Sequence, residues 1–126
     1  MGCKAILEKV EDVFTIKSPV GHWRYQRISA VALGPLTILI LVLLNKALHA
    51  PYAETVVWVS EPFTALGIIA WIAAVLFHSA LGVQVVLEDY VSNLPLRHRA
   101  ILAANLLFLA LGIAAMAAII IILLLR

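Results

Sequence analysis

One histidine of this chain, His78, lies in the middle of a long stretch of sequence without charged residues. A polar side chain inside the hydrocarbon of a membrane is costly, so it normally has a partner there. Neutral imidazole is a good axial ligand for haem iron, and it also forms hydrogen bonds to neighbouring helices. His78 therefore indicates either a haem ligand or a polar contact between two helices, and both interpretations are open.

Two further residues that could do chemistry, Asp89 and Tyr90, stand at the end of the same stretch. The eleven residues from His78 to Asp89 correspond to about 16 Å along a helix. A tyrosine hydroxyl can donate a hydrogen bond to a quinone carbonyl, and a neighbouring carboxylate could deliver protons. The ordinary alternative is a tyrosine in the aromatic belt of a membrane, beside a solvated aspartate.

The helical neighbours of His78 include small residues. At 100° per residue, one face of the helix carries Gly67, Trp71, Ala74, His78, Gly82, Val85 and Asp89. Ala74 and Gly82, one turn before and one turn after His78, leave room for a flat macrocycle to approach. Small residues also serve plain helix packing, so the pattern supports a haem without requiring one.

Only one histidine lies deep in an apolar stretch, since His22, His49 and His98 stand at or beyond the ends of these stretches. A haem inside a membrane protein typically needs two axial ligands. A second histidine ligand would therefore come from another chain, which predicts that this protein is part of a larger complex instead of a self-sufficient cytochrome.

Membrane helices must position these residues. Hydrophobic residues make up 64% of the 126 residues, which is more than a soluble fold needs. Three apolar runs are long enough to cross a bilayer, which takes about 20 residues. We predict an all-α integral membrane protein with transmembrane spans at about 27–48, 62–88 and 100–125. The chain then divides into an N-terminal segment, 1–26, and a membrane anchor, 27–126.

The distribution of basic residues predicts a cytoplasmic N-terminus. Seven Lys or Arg lie in the N-terminal segment and in the loop after the second span, whereas two lie on the other side. Within the N-terminal segment, residues 4–14 predict a short amphipathic helix that docks on a cytoplasmic partner or on the membrane surface. Ser18 to Gly21 predict a helix break. The outer segment, 46–61, is interpreted as a short loop without chemistry.

Several function classes find no support in the sequence. There is no dinucleotide-binding fingerprint and no cysteine cluster, so flavin and iron–sulfur centres are expected on other chains. Cys3 alone cannot form an internal disulfide, and Ile6 does not fit the myristoylation pattern. A small proton-coupled transporter would usually carry a carboxylate in mid-membrane, but every Asp and Glu here lies at the end of a span.

Arg27 stands at the edge of the first apolar run. A buried arginine at this depth would need an anionic or polar partner, and a haem propionate and a quinone oxygen are both candidates. Ala30 and Gly34 form a pair of small residues suited to close helix packing. Asn105, about one turn into the third span, is expected to form a hydrogen bond to a neighbouring helix.

Together these residues resemble the hydrophobic membrane anchors of succinate dehydrogenase, in particular the D-type anchor, the cytochrome b-type small subunit of respiratory complex II. The family motif His-x-x-x-Gly-x-x-x-Val-x-x-Asp-Tyr stands here as His78-Ser-Ala-Leu-Gly82-Val-Gln-Val-Val86-Leu-Glu-Asp89-Tyr90. A weaker match is Arg27-Ile-Ser29-Ala30, which resembles an Arg-x-Thr/Ser-Ala start. The His-Arg-x-Ser/Thr-Gly motif of the C-type anchor has no counterpart. Glu88 and the long amphipathic start do not map onto the family pattern.

The resemblance implies roles for individual residues. His78 would be one axial ligand of the haem b iron, and the C-type anchor would supply the other. Arg27 would approach a haem propionate, and Gly82 would give the macrocycle clearance. Tyr90 would donate a hydrogen bond to ubiquinone, with Asp89 supporting that site.

The resemblance also implies an assembly and a location. The partners would be the C-type anchor, the iron–sulfur protein, the flavoprotein and membrane lipid, with no nucleic acid. The complex would pass electrons from succinate to ubiquinone in the tricarboxylic acid cycle, and this chain would not be catalytic alone. We expect the bacterial cytoplasmic membrane in preference to the mitochondrial inner membrane. The alternatives are a fumarate reductase anchor, or a non-redox small transporter or assembly protein.

Overall fold

The computed structural model describes residues 2–14 and 18–125. In this part of the chain all regular secondary structure is helical, which confirms the predicted all-α class. The five helices are α1 (Cys3–Phe14), α2 (Pro19–His49), α3 (Tyr52–Val59), α4 (Pro62–Tyr90) and α5 (Leu94–Leu124). The predicted N-terminal helix is thus present as α1.

Three of these helices, α2, α4 and α5, are long and apolar enough to cross a membrane. They contain 31, 29 and 31 residues. At 1.5 Å per residue such helices are about 45 Å long, whereas the hydrocarbon core of a bilayer is about 30 Å thick. The three predicted spans are therefore confirmed, and the helices begin or end outside them: α2 and α5 begin several residues earlier than predicted, and α4 ends two residues later.

Local capping explains where the long helices begin. The Ser18 side chain accepts a hydrogen bond from the backbone N–H of Gly21 at 3.3 Å, and Pro19 is the first residue of α2. The Asn93 side chain accepts from the backbone N–H of Leu96 at 3.0 Å at the start of α5. Serine or asparagine before a helix, followed by an early proline, favours helix initiation. Ser18 to Gly21, predicted as a helix break, therefore form the beginning of α2.

The segment between α2 and α4 contains the short helix α3, where the sequence predicts a loop. Pro51 stands directly before this helix and Glu54 lies in its first turn, two features that favour a helix N-terminus. Ser60, directly after it, donates its hydroxyl to the Val56 carbonyl at 2.6 Å. These local contacts give order to the connection between α2 and α4, residues 50–61.

Helix α4 packs along both α2 and α5. Few side chains are buried within the described part of the chain, and the buried apolar ones are Ala65, Leu81, Ile101 and Ile119. Several polar side chains are buried as well: His22, Ser29, Ser60, Gln84 and Asn105. Most large apolar side chains of α2 and α5 are exposed, which suits a protein surrounded by lipid or by other membrane helices.

Two glycines lie where a leucine side chain of the neighbouring helix packs against the helix backbone. A Cβ atom on Gly67 would lie 2.6 Å from Leu39 Cδ2, and one on Gly112 would lie 3.2 Å from Leu76 Cδ1. Gly34, expected from the sequence to mediate close packing, has open space at the corresponding position. The close approach of α2 to α4 therefore uses Gly67 on α4, and Gly34 faces away from the described part of the chain.

Candidate functional site

His78 lies in the interface between α4 and α2, with its ring half-buried. Its Nδ1 atom is 2.9 Å from the hydroxyl oxygen of Ser29. Its Nε2 atom is 3.4 Å from the amide nitrogen of Gln26. The Ser29 hydroxyl also donates to the backbone carbonyl of Gln26 at 3.0 Å. The predicted polar contact between helices is thus present, and it involves mainly one of the two ring nitrogens.

The amide of Gln26 occupies the space beside Gly82. A Cβ atom on Gly82 would lie 3.6 Å from Gln26 Nε2. Gln26 Oε1 is buried and has no hydrogen-bond partner among the described residues. The clearance predicted at Gly82 is therefore filled by a long, flexible side chain of the same chain, and one polar atom of that side chain is unsatisfied.

The predicted face of α4 does lie against α2. Gly67 approaches Leu39, His78 meets Ser29, and the Trp71 indole N–H donates to the Thr37 hydroxyl at 3.1 Å. Beside these contacts, the rings of Tyr25 and Phe77 pack edge to face, with centroids 6.1 Å apart. The helix pair is thus joined by polar contacts at two depths, at His78 and at Trp71.

Arg27 lies beside this site without joining it. Its side chain is exposed, and its guanidinium carbon lies 5.2 Å from the centroid of the Trp23 ring. Gln26 and Ser29 on the same helix, not Arg27, meet His78. The role predicted for Arg27 at a haem propionate stays a prediction about a group outside this chain.

Asp89 and Tyr90 lie in the last turn of α4, and both side chains are exposed, with Tyr90 at 85%. The residue before them, Glu88, accepts a hydrogen bond from Gln84 Nε2 at 2.8 Å. The backbone carbonyl of Glu88 also accepts from Arg97 Nη1 at 3.2 Å. The end of α4 is thus tied to α5, which holds Asp89 and Tyr90 at a defined, accessible position.

Sequence reasoning missed Gln26 and Ser29 as partners of His78. A signal for them existed, because positions 26, 29 and 37 of a helix lie within about 80° of one another at 100° per residue. All three are polar, and the structure turns all three toward α4. His22, predicted at the membrane edge, is buried, and its Nε2 atom has no hydrogen-bond partner in the described part of the chain.

The His78 site fits the axial ligation of a haem in its donor chemistry. Among residues 2–14 and 18–125, no three His, Cys, Asp or Glu side chains lie together as a site for a bare metal ion. A haem needs fewer protein ligands than a bare metal ion, because each axial position of its iron takes one imidazole. The 3.4 Å contact to Gln26 is longer than an ordinary hydrogen bond. Rotation of the Gln26 side chain would uncover both Nε2 of His78 and the space at Gly82.

Comparison with known proteins shows to which family this chain belongs. The model of the succinate dehydrogenase/fumarate reductase transmembrane subunit matches residues 7–123, nearly the whole chain. The chain belongs to this family. The resemblance found in the sequence motifs is therefore confirmed.

Bacterial relatives narrow the assignment within the family. The succinate dehydrogenase hydrophobic membrane anchor subunit of Rickettsia bellii is 32% identical over 106 residues, covering 82% of both chains. The protein of the same description from Rickettsia felis is 32% identical over 101 residues, covering 78% of this chain and 82% of the relative. The one from Rickettsia conorii is 29% identical over 106 residues, covering 82% of both. No solved structure matches the chain significantly. The comparisons thus support a bacterial, membrane-integral anchor of succinate dehydrogenase, and they give no support to a small transporter.

Proposed function

We propose that this chain is the membrane anchor of a succinate:ubiquinone oxidoreductase, where it ligates haem b together with a second, C-type anchor and forms part of the ubiquinone reduction site. The observation that carries the proposal is the half-buried His78, held through Nδ1 by Ser29 in a chain of this family. The site lies in the bacterial cytoplasmic membrane, with the N-terminus and the end of α4 on the cytoplasmic side. The excess of Lys and Arg on that side supports this orientation.

The exposed surface of the helices supports an assembly with other proteins. Large apolar side chains cover the outer faces of α2 and α5, including Ile38, Leu41, Leu107 and Ile113. Such faces can contact lipid or other membrane helices, since both are apolar. We assign the C-type anchor to the membrane, and the iron–sulfur protein and the flavoprotein to the cytoplasmic side. The latter two supply the redox centres for which this chain has no sequence motif.

The haem, when bound, supplies a one-electron redox centre within the membrane. His78 would hold one axial position through Nε2, because Nδ1 is already bonded to Ser29. The side chain of Gln26 would rotate away to open the space beside Gly82. Arg27, exposed on the same helix, would offer its guanidinium to an anionic group such as a propionate.

Tyr90 and Asp89 would serve the quinone. Tyr90 stands twelve residues beyond His78, which is about 18 Å along a helix, so the quinone site would lie near the membrane surface. The exposed Tyr90 hydroxyl would donate a hydrogen bond to a ubiquinone carbonyl. The neighbouring Asp89 carboxylate, also exposed, would pass protons from the cytoplasm to the reduced quinone.

The first test is a reduced-minus-oxidised absorption spectrum of the tagged chain, gently solubilised with its native partners. A b-type signal that succinate reduces would support both the haem and the complex. A copurifying flavoprotein without any haem would keep the anchor function and reject haem ligation. Absence of both would reject the proposed function.

The second test replaces the proposed ligand. His78→Ala should abolish the b-type signal, because the other three histidines, His22, His49 and His98, stand at or beyond the ends of the apolar runs. His49→Ala is the matched control, since His49 is exposed at the end of α2 and bonds to the Asn45 carbonyl of its own helix. An unchanged spectrum in an assembled His78→Ala complex would refute ligation by His78.

A further inference from the structure

We propose that Ser29 is a positioning residue for His78: it holds the ring in the tautomer that is protonated at Nδ1, and thereby leaves the Nε2 lone pair for the haem iron. The inference rests on the proposed function, because it takes His78 as an axial ligand. It assigns a task to a residue that the family motif presents only as a small polar position at the start of the first span.

The directions of the hydrogen bonds carry the argument. The backbone carbonyl of Gln26 can only accept, so the Ser29 hydroxyl donates its single hydrogen across the 3.0 Å contact. The 2.9 Å contact from Ser29 Oγ to His78 Nδ1 must then use a lone pair of the oxygen. Nδ1 therefore carries the ring hydrogen. A neutral imidazole has one N–H, so Nε2 is left with its lone pair.

The surroundings of Nε2 agree with this tautomer. Nε2 contacts the amide nitrogen of Gln26 at 3.4 Å, which is a donor and suits an acceptor at Nε2. In the opposite tautomer, Nε2–H would point at that donor, and Ser29 would have to release the Gln26 carbonyl to donate to Nδ1. A 180° turn of the Gln26 amide would remove the clash of donors, but it would also bind the Nε2 hydrogen and deny this nitrogen to iron.

Burial makes the serine contact effective. Ser29 is only 6% exposed, so water has little access to compete for Nδ1. In a ligating histidine, the ring nitrogen that does not bind the metal donates its N–H to a neighbouring group. This hydrogen bond fixes the ring orientation and raises the basicity of the ligand. A more basic ligand stabilises ferric over ferrous iron. Ser29 is therefore expected to lower the midpoint potential of the haem.

The experiment compares midpoint potentials of the haem in the full complex carrying Ser29→Ala, Ser29→Thr or Thr37→Val. Only the part of the hydrogen-bond strength that differs between ferric and ferrous haem moves the potential, so losing one bond of ordinary net strength should shift the reduction equilibrium toward ferrous haem by at most about fivefold. A tenfold change in a one-electron equilibrium constant corresponds to about 59 mV, so the midpoint potential should rise by up to about 40 mV. Ser29→Thr keeps a hydroxyl and should restore the wild-type potential.

Thr37→Val is the matched control, because it removes the hydrogen bond to Trp71 across the same pair of helices without touching His78. If the haem midpoint potential rises in Ser29→Ala and not in Thr37→Val, the result supports the positioning role of Ser29. If Ser29→Ala loses the haem altogether, retention of the haem in both Ser29→Thr and Thr37→Val supports it as well. Equal effects of Ser29→Ala and Thr37→Val on potential or haem content overturn it, because the role of Ser29 would then be general packing.

The two proposals fail differently. An unmoved potential in a haem-containing Ser29→Ala complex overturns the role of Ser29, while loss of the signal in His78→Ala still supports ligation. A wild-type complex without a b-type signal overturns ligation by His78, and the role of Ser29 with it.

Discussion

The hydrogen bond between Trp71 and Thr37 provides a measurable test of the α2–α4 interface. The indole N–H of Trp71 donates to the Thr37 hydroxyl at 3.1 Å, and both side chains are partly buried between the helices. Hydrogen bonds between transmembrane helices contribute about 0.6 kcal/mol on average and at most about 1.7 kcal/mol in measured cases. Since this contact has good length and partial burial, we expect a coupling free energy of about 1 kcal/mol.

The perturbation is a double-mutant cycle of Trp71→Phe and Thr37→Val. Thr37→Val keeps the side-chain shape but leaves the indole N–H without its acceptor, and Trp71→Phe removes the donor together with part of the ring. The double variant should therefore lose about 1 kcal/mol less than the two single variants together. This difference isolates the hydrogen bond from the packing that Trp71→Phe also removes.

The assay follows separation of the two helices during unfolding in mixed micelles of mild detergent and dodecyl sulfate. Dyes on cysteines at Val20 and Ser92, in a Cys3→Ser background, report the distance between the start of α2 and the end of α4. Both positions are exposed, so labelling leaves the interface intact. If the losses of unfolding free energy in the two single variants add up to the loss in the double variant within about 0.3 kcal/mol, the hydrogen bond is absent from the folded protein. That result would refute this register of α2 on α4.

Three further predictions test other parts of the molecule. Tyr90→Phe should slow ubiquinone reduction while succinate oxidation by a soluble artificial acceptor is retained, and equal loss in both assays would indicate misassembly instead. Gly67→Ala should destabilise the α2–α4 pair by about 1 kcal/mol through overpacking against Leu39, and Leu39→Ala should relieve this cost in the same unfolding assay. Arg27→Leu should lower the haem midpoint potential in redox titrations, because a cation near a propionate favours the reduced haem, whereas Arg27→Lys should change it less.

The transmembrane helices could be predicted from the sequence because an apolar run of sufficient length has one stable arrangement in a bilayer, a helix that satisfies its own backbone. The helix ends could not be predicted as well, since the hydrocarbon boundary is not a structural boundary. At Pro19 the helix begins eight residues before the predicted span because Ser18 caps it there. The short helix α3 is missed for a related reason: the shortness of the connection predicts a loop, whereas Pro51 and Glu54 locally favour a helix.

The partners of His78 could not be predicted, because the residue pattern of one helix does not determine which residues of another helix it contacts. The spacing of residues on α4 identifies the face that contains Trp71 and His78, and the structure confirms that this face meets α2. Which residues of α2 meet it is determined by the crossing of the two helices and by their relative depth. Those quantities come from the approach at Gly67 and from the length of the α3 connection, not from the periodicity of either helix.

The two interpretations that His78 allows, a haem ligand and a contact between helices, use different atoms of the same ring. Nδ1 is engaged by Ser29 within the chain, whereas Nε2 meets only a long contact to a flexible amide whose oxygen is unsatisfied. A buried polar group normally has its hydrogen bonds completed, so the incomplete half of this site supports the proposal that another component supplies a partner there. The contact between helices is therefore no argument against ligation; by fixing the ring through Nδ1, it is the arrangement that ligation through Nε2 would require.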